Sequence, residues 1–418
     1  MKITFSRDFL VSAMCLLANM LVLCSTPYIT PYLIPKYQLF TGLGLLVLLY
    51  VSFKYIQHFS IRNIWDKIIV FSIFVSFCHG LLTYCFYFDE NGLEGYRNAI
   101  GYTLKFLLLF PVGILLRFNY DCFLKIFFAI NNIIIVLAIV LFFLSLSGVF
   151  LPYIEFSPDG REHYFFYIGA TNVILEFGSS IFIRTAGFCD EPGQLGLVLT
   201  YLLVVNEFTY KSSFNRILYC IAGLLTFSAA FFITLVPIII YWFYVFKVSL
   251  FRCLAVLFSI VFLSTFSFSF IDSELQDSIE MASDRLIFER FEQDRHGKFG
   301  GDNRSSSIKY QIEGFMHNPL VGVTGMSEDK LAKYELYNPT LFTNIARHGI
   351  FDILFYVPFL YLLVIFRKRK EVLLFLAIGI NFFQRPGITQ MFFLVALTLI
   401  FYHNYYNCPT NRKVSFSL

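Results

Sequence analysis

Two stretches of the sequence bring cations, acids and glycines close together. Arg184 opens the string RTAGFCDEPGQLG, which runs through Asp190, Glu191 and Pro192 to Gly196. Asp302, Arg304, Glu313 and His317 follow one another between positions 302 and 317, and Arg347 comes after them. Arginine grips phosphate through a planar fork of donors and keeps its charge at every physiological pH. Carboxylates and imidazoles are the groups that take a proton from an attacking hydroxyl. Arg184, Arg304 and Arg347 are therefore candidates for binding an anionic, phosphate-bearing ligand. Asp302, Glu313 and His317 are candidates for a general base. The competing reading pairs each arginine with a neighbouring acid or a lipid phosphate. Glu191 either orients Arg184 through a salt bridge or simply starts the helix that follows Pro192.

Other chemistries have no foothold. The chain contains no HExxH, GxSxG or phosphate-binding P-loop. Its adjacent acids, Asp89-Glu90 and Asp190-Glu191, do not form an Asp-x-Asp metal motif. The nine cysteines include no CxxC pair and no Cys/His ligand spacing. The expectation is no bound metal, no cofactor and no disulfide framework. Basic residues come in short clusters such as Arg367-Lys368-Arg369-Lys370. Such clusters suit cytoplasmic anchoring and not nucleic-acid binding.

The elements that must carry these residues are apolar. Of 418 residues 57% are hydrophobic, 20% aromatic and only 14% charged, with a mean hydropathy of +0.68. Soluble domains carry about 25% charge, so the composition points to an all-α, polytopic transmembrane bundle forming one membrane domain over 1–418. A span needs about 20 mostly apolar residues. About twelve candidates lie near 9–26, 37–56, 67–87, 98–116, 123–150, 193–208, 214–230, 231–247, 251–271, 340–366, 371–384 and 388–404. No charge separates 214–230 from 231–247, which leaves one long kinked segment as an alternative to two spans, and 371–384 is short enough to be re-entrant. With the N-terminus inside, nearly all short-loop Lys and Arg fall on the inner side. The short outer loops hold only Lys36, Arg97 and Arg385. Both termini then face the cytoplasm. Two long outer loops result, 151–192 and 272–339, and long connections of this kind tend to be functional. The first is rich in β-branched and aromatic residues and suits a short hairpin. The second suits an amphipathic helix from 272, a turn-rich stretch, and a second helix in SIKYQIEGFMHN. Gly322 and Gly325 suit a tight turn after it. Glu207 and Asp352 fall near span ends and read as interfacial.

The string Arg184–Gly196 resembles the arginine, glycine and Glu-Pro motif of bacterial O-antigen polymerases. NRSSSIKYQIEGFMHNPLVGVTG, from Asn303 to Gly325, resembles that family's second-loop motif, in which an arginine precedes a helix ending in an Asn-Pro-Leu-x-Gly turn. NPTLFTNIARHGIFD, from Asn338 to Asp352, resembles the start of the following span. The plan of many spans with two large periplasmic loops is similar too. The related O-antigen ligases usually carry a histidine where this chain has Tyr337-Asn338, and His348 lies ten residues later. The resemblance implies a metal-independent glycosyltransferase of the cell inner membrane, acting in lipopolysaccharide biosynthesis. Such an enzyme moves a growing glycan from undecaprenyl pyrophosphate onto a new lipid-linked oligosaccharide unit. The implied partners are those lipid-linked oligosaccharides, membrane lipids and a chain-length regulator protein. Under that reading Arg184, Arg304 and Arg347 bind pyrophosphate, supported by Glu191. The other readings are an O-antigen ligase or another surface-polysaccharide polymerase and, from a different class, a lipid-linked oligosaccharide flippase or other transporter.

Overall fold

The computed structural model describes residues 7–24, 37–55, 63–149, 151–156, 162–166, 170–177, 180–247, 305–336, 340, 342–384 and 390–407. The chain is mostly helical. Its first half contains α1 (Arg7–Cys24), α2 (Tyr37–Tyr55), α3 (Ile64–Leu107) and α4 (Leu109–Leu146). A sheet follows, then α5 (Pro192–Phe208), α6 (Ser213–Leu225) and α7 (Ala229–Phe246). The last part holds α8 (Ser305–His317), α9 (Glu328–Ala332), α10 (Thr343–His348), α11 (Phe351–Phe355), α12 (Val357–Phe366), α13 (Val372–Gln384) and α14 (Met391–Asn407).

Three helices are long and apolar enough to cross a membrane: Ile64–Phe88 within α3, α4 and α7. Shorter apolar helices accompany them, among them α6, α12 and α13. The side chains are distributed as a bilayer demands. Helix α6 turns Leu218, Tyr219 and Ala222 inward, yet Phe214, Ile217, Ile221 and Leu224 lie exposed on the other face. Water would penalise such an outward apolar stripe, whereas lipid solvates it. At the centre, α5 from Gln194 to Phe208 and α14 from Met391 to Tyr402 are buried all round. Both are predominantly apolar around the helix, as an enclosed helix must be, and their buried polar residues such as Thr200 and Glu207 are hydrogen-bonded. Phe393 of α14 stands over Tyr201 of α5 with ring centroids 5.2 Å apart, and Thr200 shares a 2.9 Å hydroxyl bond with Thr234 of α7.

Several expectations about the spans change. Residues 98–116 close α3 and open α4, joined through Leu108 with helical dihedrals, and their end lies back against the start of α3, with Gly113 beside Ile69 and Arg117 bonded to Asp66. The break comes later, at Asn119 (φ −140°, ψ 43°). The segment 214–247 is two helices, turned by Thr226 and by Phe227 at φ +46°. The region 340–366 is three short helices, and Gly349 (φ +59°) breaks the first from the second. The segment 251–271 and the amphipathic helix from 272 lie outside the described residues.

The first long loop holds more than a hairpin, and an all-α description omits it. Strands β1 (Tyr153–Phe156), β2 (Glu162–Phe166), β3 (Ala170–Phe177) and β4 (Ser180–Gly187) form an antiparallel meander in chain order. Its registers include Tyr153 opposite Phe166 and Val173 opposite Arg184. Alternating apolar residues let the sheet bury Phe166 and Ala170 against Ala138 and Leu141 of α4. Asn172 of β3 donates to Ser145 Oγ at the C-terminal end of α4.

Candidate functional site

The ends of the helices sort into two sets. One set gathers the C-terminus of α4, the sheet, the N-termini of α5, α7 and α14, and the turn following α8. The other gathers the cations Arg117, Arg216, Arg369 and Lys370, bonded respectively to Asp66, Glu207, Asn404 and the Tyr244 carbonyl. The candidate chemistry lies in the first set.

Arg184 points from β4 to the turn between α6 and α7. Its Nε donates to the Thr226 carbonyl at 3.0 Å and its Nη2 to the Phe227 carbonyl at 3.2 Å. A helix leaves its last carbonyls without intrahelical partners, and the guanidinium satisfies that of the α6 C-cap, Thr226, together with that of the turn residue after it. Buried to 7% exposure, Arg184 also puts a positive charge beside the start of α7. β4 ends at Gly187 (φ +58°), and Glu191 is the extended N-cap of α5, with Pro192 in the first turn. Neither Glu191 nor Ser228, the N-cap of α7, caps its helix through its side chain. The two helix starts are adjacent: a Cβ on Gly196 would lie 3.1 Å from the Phe231 Cβ and 3.5 Å from that of Ser228. Gln194 bonds Gln390, just before α14, at 3.1 Å. Helix N-termini carry partial positive charge, so two helix starts and Arg184 bring positive character to this end, beside the carboxylates of Asp190 and Glu191.

The second cluster forms where the turn after α8 meets α3 and α10. Val323 N donates to the Ala346 carbonyl (2.9 Å), Thr324 N to the Arg347 carbonyl (3.2 Å) and Ile350 N to the Pro319 carbonyl (2.8 Å). The sequence Asn318-Pro-Leu-Val-Gly-Val-Thr thus clasps the corner between α10 and α11. Gly322 sits at φ +70°, and a Cβ there would overlap the Arg347 carbonyl group. A Cβ on Gly325 would overlap the Tyr87 ring. The turn is fastened to α3: His79 Nε2 donates to the Val321 carbonyl at 3.1 Å, and Tyr87 Oη to the Gly322 carbonyl at 2.6 Å. Bonding a carbonyl puts the His79 proton on Nε2. The His79 ring meets His348 edge-on, with centroids 5.1 Å apart.

Of the residues singled out from sequence, Arg347 is exposed and donates Nη2 to the Leu336 carbonyl at 2.9 Å. Glu313 and His317 are exposed, one turn apart on α8, while Ser307, Gln311 and Gly314 turn inward. Gln311 holds the Glu335 carbonyl at 3.2 Å and accepts from Thr340 and Thr343. Asp302 and Arg304 lie outside the described residues. The structure therefore brings Arg184 and Glu191 to one cluster, and Glu313, His317 and Arg347 to the elements of the other. Glu207 and Asp352 are buried within the protein, at 1% and 4% exposure. Glu207 takes a bidentate clamp from Arg216, at 2.6 and 3.0 Å. Sequence reasoning passed over His79 because a lone histidine in an apolar run gives no spacing signal. Its partner is a backbone carbonyl 242 positions away.

Among the described residues, no group of three or more His, Cys, Asp or Glu side chains could hold a metal ion. No protein-family model, curated protein or solved structure matches the chain.

Proposed function

We propose that this chain is a polytopic inner-membrane polymerase of lipid-linked oligosaccharide repeat units, of the O-antigen type. It transfers the growing glycan from undecaprenyl pyrophosphate to a hydroxyl of the next lipid-linked unit at the periplasmic face. The observation that carries the reading is the gathering of Arg184 and the uncapped starts of α5 and α7 at the helix ends away from the basic loops. Short loops rich in Lys and Arg stay in the cytoplasm, so the end with Arg216 and Arg367–Lys370 faces inward. The end with Arg184 then meets the periplasm, where the lipid-linked substrates' pyrophosphates lie.

In this reading the anomeric carbon of the growing chain bonds to the acceptor oxygen. Its bond to the carrier breaks, and the electron pair leaves on undecaprenyl pyrophosphate. Fixed positive charge is strongest where negative charge develops, and in a dry site it needs no metal to act. Arg184 and Arg304 serve the leaving pyrophosphate, with Arg347 third. Arg184 also holds the α6–α7 turn, so its position is set before substrate arrives. Glu191 starts α5 beside it. Asp302, Glu313 and His317 are the bases considered from sequence. Both termini are cytoplasmic, and a chain-length regulator is the expected protein partner.

Deleting the gene and resolving the host's lipopolysaccharide on a gel tests this. Lipid A-core bearing one repeat unit, with the ladder gone, is the expected result. Core without repeats, while lipid-linked polymer accumulates, would instead assign a ligase. Core without repeats and without lipid-linked polymer would point to a flippase, and an unchanged ladder would refute the reading.

A further inference from the structure

Three acids are buried among the described residues, Asp66, Glu207 and Asp352, and two of them are satisfied. Asp66 accepts from Arg117 at 3.2 Å and from Tyr402 at 2.7 Å. Glu207 holds Arg216 bidentately. Asp352 differs: it is 4% exposed, and its Oδ1 is buried with no hydrogen-bond partner. Leaving a carboxylate oxygen unbonded in an apolar interior costs on the order of several kcal/mol. A chain that pairs its other buried acids so completely has no structural need for this one. Buried acids of this kind within a membrane bundle are by default functional.

Asp352 also stands in the right place. It lies in the first turn of α11, four residues beyond His348 and five beyond Arg347, on the corner clasped by the 318–324 turn. Its neighbour Phe351 meets the His79 ring edge-on at 5.4 Å. One turn further, the Tyr356 phenol feels the Asp352 charge, and Tyr356 in turn lies within electrostatic reach of Tyr201. Tyr201 Oη and Asn381 Nδ2 are likewise buried without a hydrogen-bond partner, and Phe382, next to Asn381, meets the Tyr356 ring at 5.4 Å. A carboxylate oxygen without a hydrogen-bond partner thus lies one helical turn from Tyr356, whose ring adjoins Phe382. By contrast, Glu313 and His317 stand exposed on α8.

We infer that Asp352 is the general base of the transfer, taking the proton from the acceptor sugar's hydroxyl. The inference rests on the polymerase reading. As the acceptor oxygen bonds the anomeric carbon, its proton passes to Asp352 while the glycosyl–pyrophosphate bond breaks. The protonated acid then returns the proton to water, and the carboxylate is restored. The hydroxyl supplies the donor that Oδ1 lacks.

The test is Asp352→Asn in the full chain, expressed in cells without the native copy. Asparagine keeps the shape and removes the basicity. Removing a buried unpaired charge is also expected to leave thermal stability and membrane abundance unchanged or raised. The lipopolysaccharide ladder should collapse to single repeats. In membranes given the host's undecaprenyl-pyrophosphate-linked repeat unit, kcat should fall by about 100-fold or more with KM within about threefold, the scale of a lost general base. A normal ladder from Asp352→Asn overturns the inference. So does a loss of activity that appears only as a raised KM or follows disappearance of the protein from the membrane, since either assigns Asp352 a structural role. A ladder that survives deletion of the whole gene refutes the polymerase reading itself, independently of Asp352.

Discussion

Gly322 shows how much one residue can carry. Its φ of +70° lies in the left-handed region, and the Arg347 carbonyl occupies the space a Cβ would need. Gly322→Ala should therefore cost more than the ~1–3 kcal/mol of a strained non-glycine backbone. A lower unfolding temperature of the detergent-purified protein checks this. Protection of the turn from protease should also fall. Arg184 is a second such point. Its fork spans two successive carbonyls, which a lysine's single ammonium cannot reproduce. Arg184→Lys keeps the charge but frees one carbonyl, so a stability loss of about 1–3 kcal/mol is expected, measured by thermal unfolding. Arg184→Ala should in addition abolish the polymer ladder. A normal ladder from Arg184→Ala would remove that residue from pyrophosphate binding.

At the scale of elements, buried polar ties fix how the helices meet. Glu207 ends α5 and Arg216 lies in α6, and both are largely enclosed, with side chains 1% and 14% exposed. Asn206 and Asn215 complete the joint with a 3.2 Å bond. Breaking one member of a buried pair strands the other charge, at about 3–5 kcal/mol. Glu207→Gln and Arg216→Met should each destabilise on that scale. The double variant should lose clearly less than the sum, which a double-mutant cycle in thermal unfolding reads directly. A similar tie joins α3 to the turn after α8 through His79. His79→Phe retains the ring contacts with His348 and Phe351 but removes the donor to Val321. The expected result is faster proteolysis within 318–326 and little change elsewhere, followed by mass spectrometry of the fragments.

Across the whole molecule, the chain is organised by what surrounds it. Large apolar side chains cover its outer faces, among them Leu39, Tyr50, Phe74, Ile133, Phe214 and Val236. Polar ties and charges collect at the helix ends. This is the arrangement of a body solvated by lipid around its waist and by water at its ends. Reporter fusions test its proposed orientation. Alkaline phosphatase joined after Gly148 or Met326 should be active, and a fluorescent protein fused to the C-terminus should be bright. An active phosphatase at Lys211 would reverse the orientation.

The residue types determined the environment and much of the element plan. Fifty-four phenylalanines and 14% charge favour a lipid-facing surface over a water-facing one, and apolar runs marked α1, α2, α7 and α14 close to where they lie. Helix α8 and the turn after it were legible as well, because local spacing and glycine conformation are encoded locally. The meander was half legible: alternation announced strands, but their number depends on which strands pair. The join of α3 to α4 was hidden, since Leu108 keeps helical dihedrals and no residue type there marks a boundary. Tertiary structure alone decided that Arg184 holds the end of α6, that His79 fastens a turn 242 positions away, and that Asp352 Oδ1 is enclosed without a hydrogen-bond partner. Sequence fixes a side chain's chemistry and its neighbours along the chain. Burial and partnership are set by segments distant in sequence, and those turn an ordinary aspartate into a candidate base.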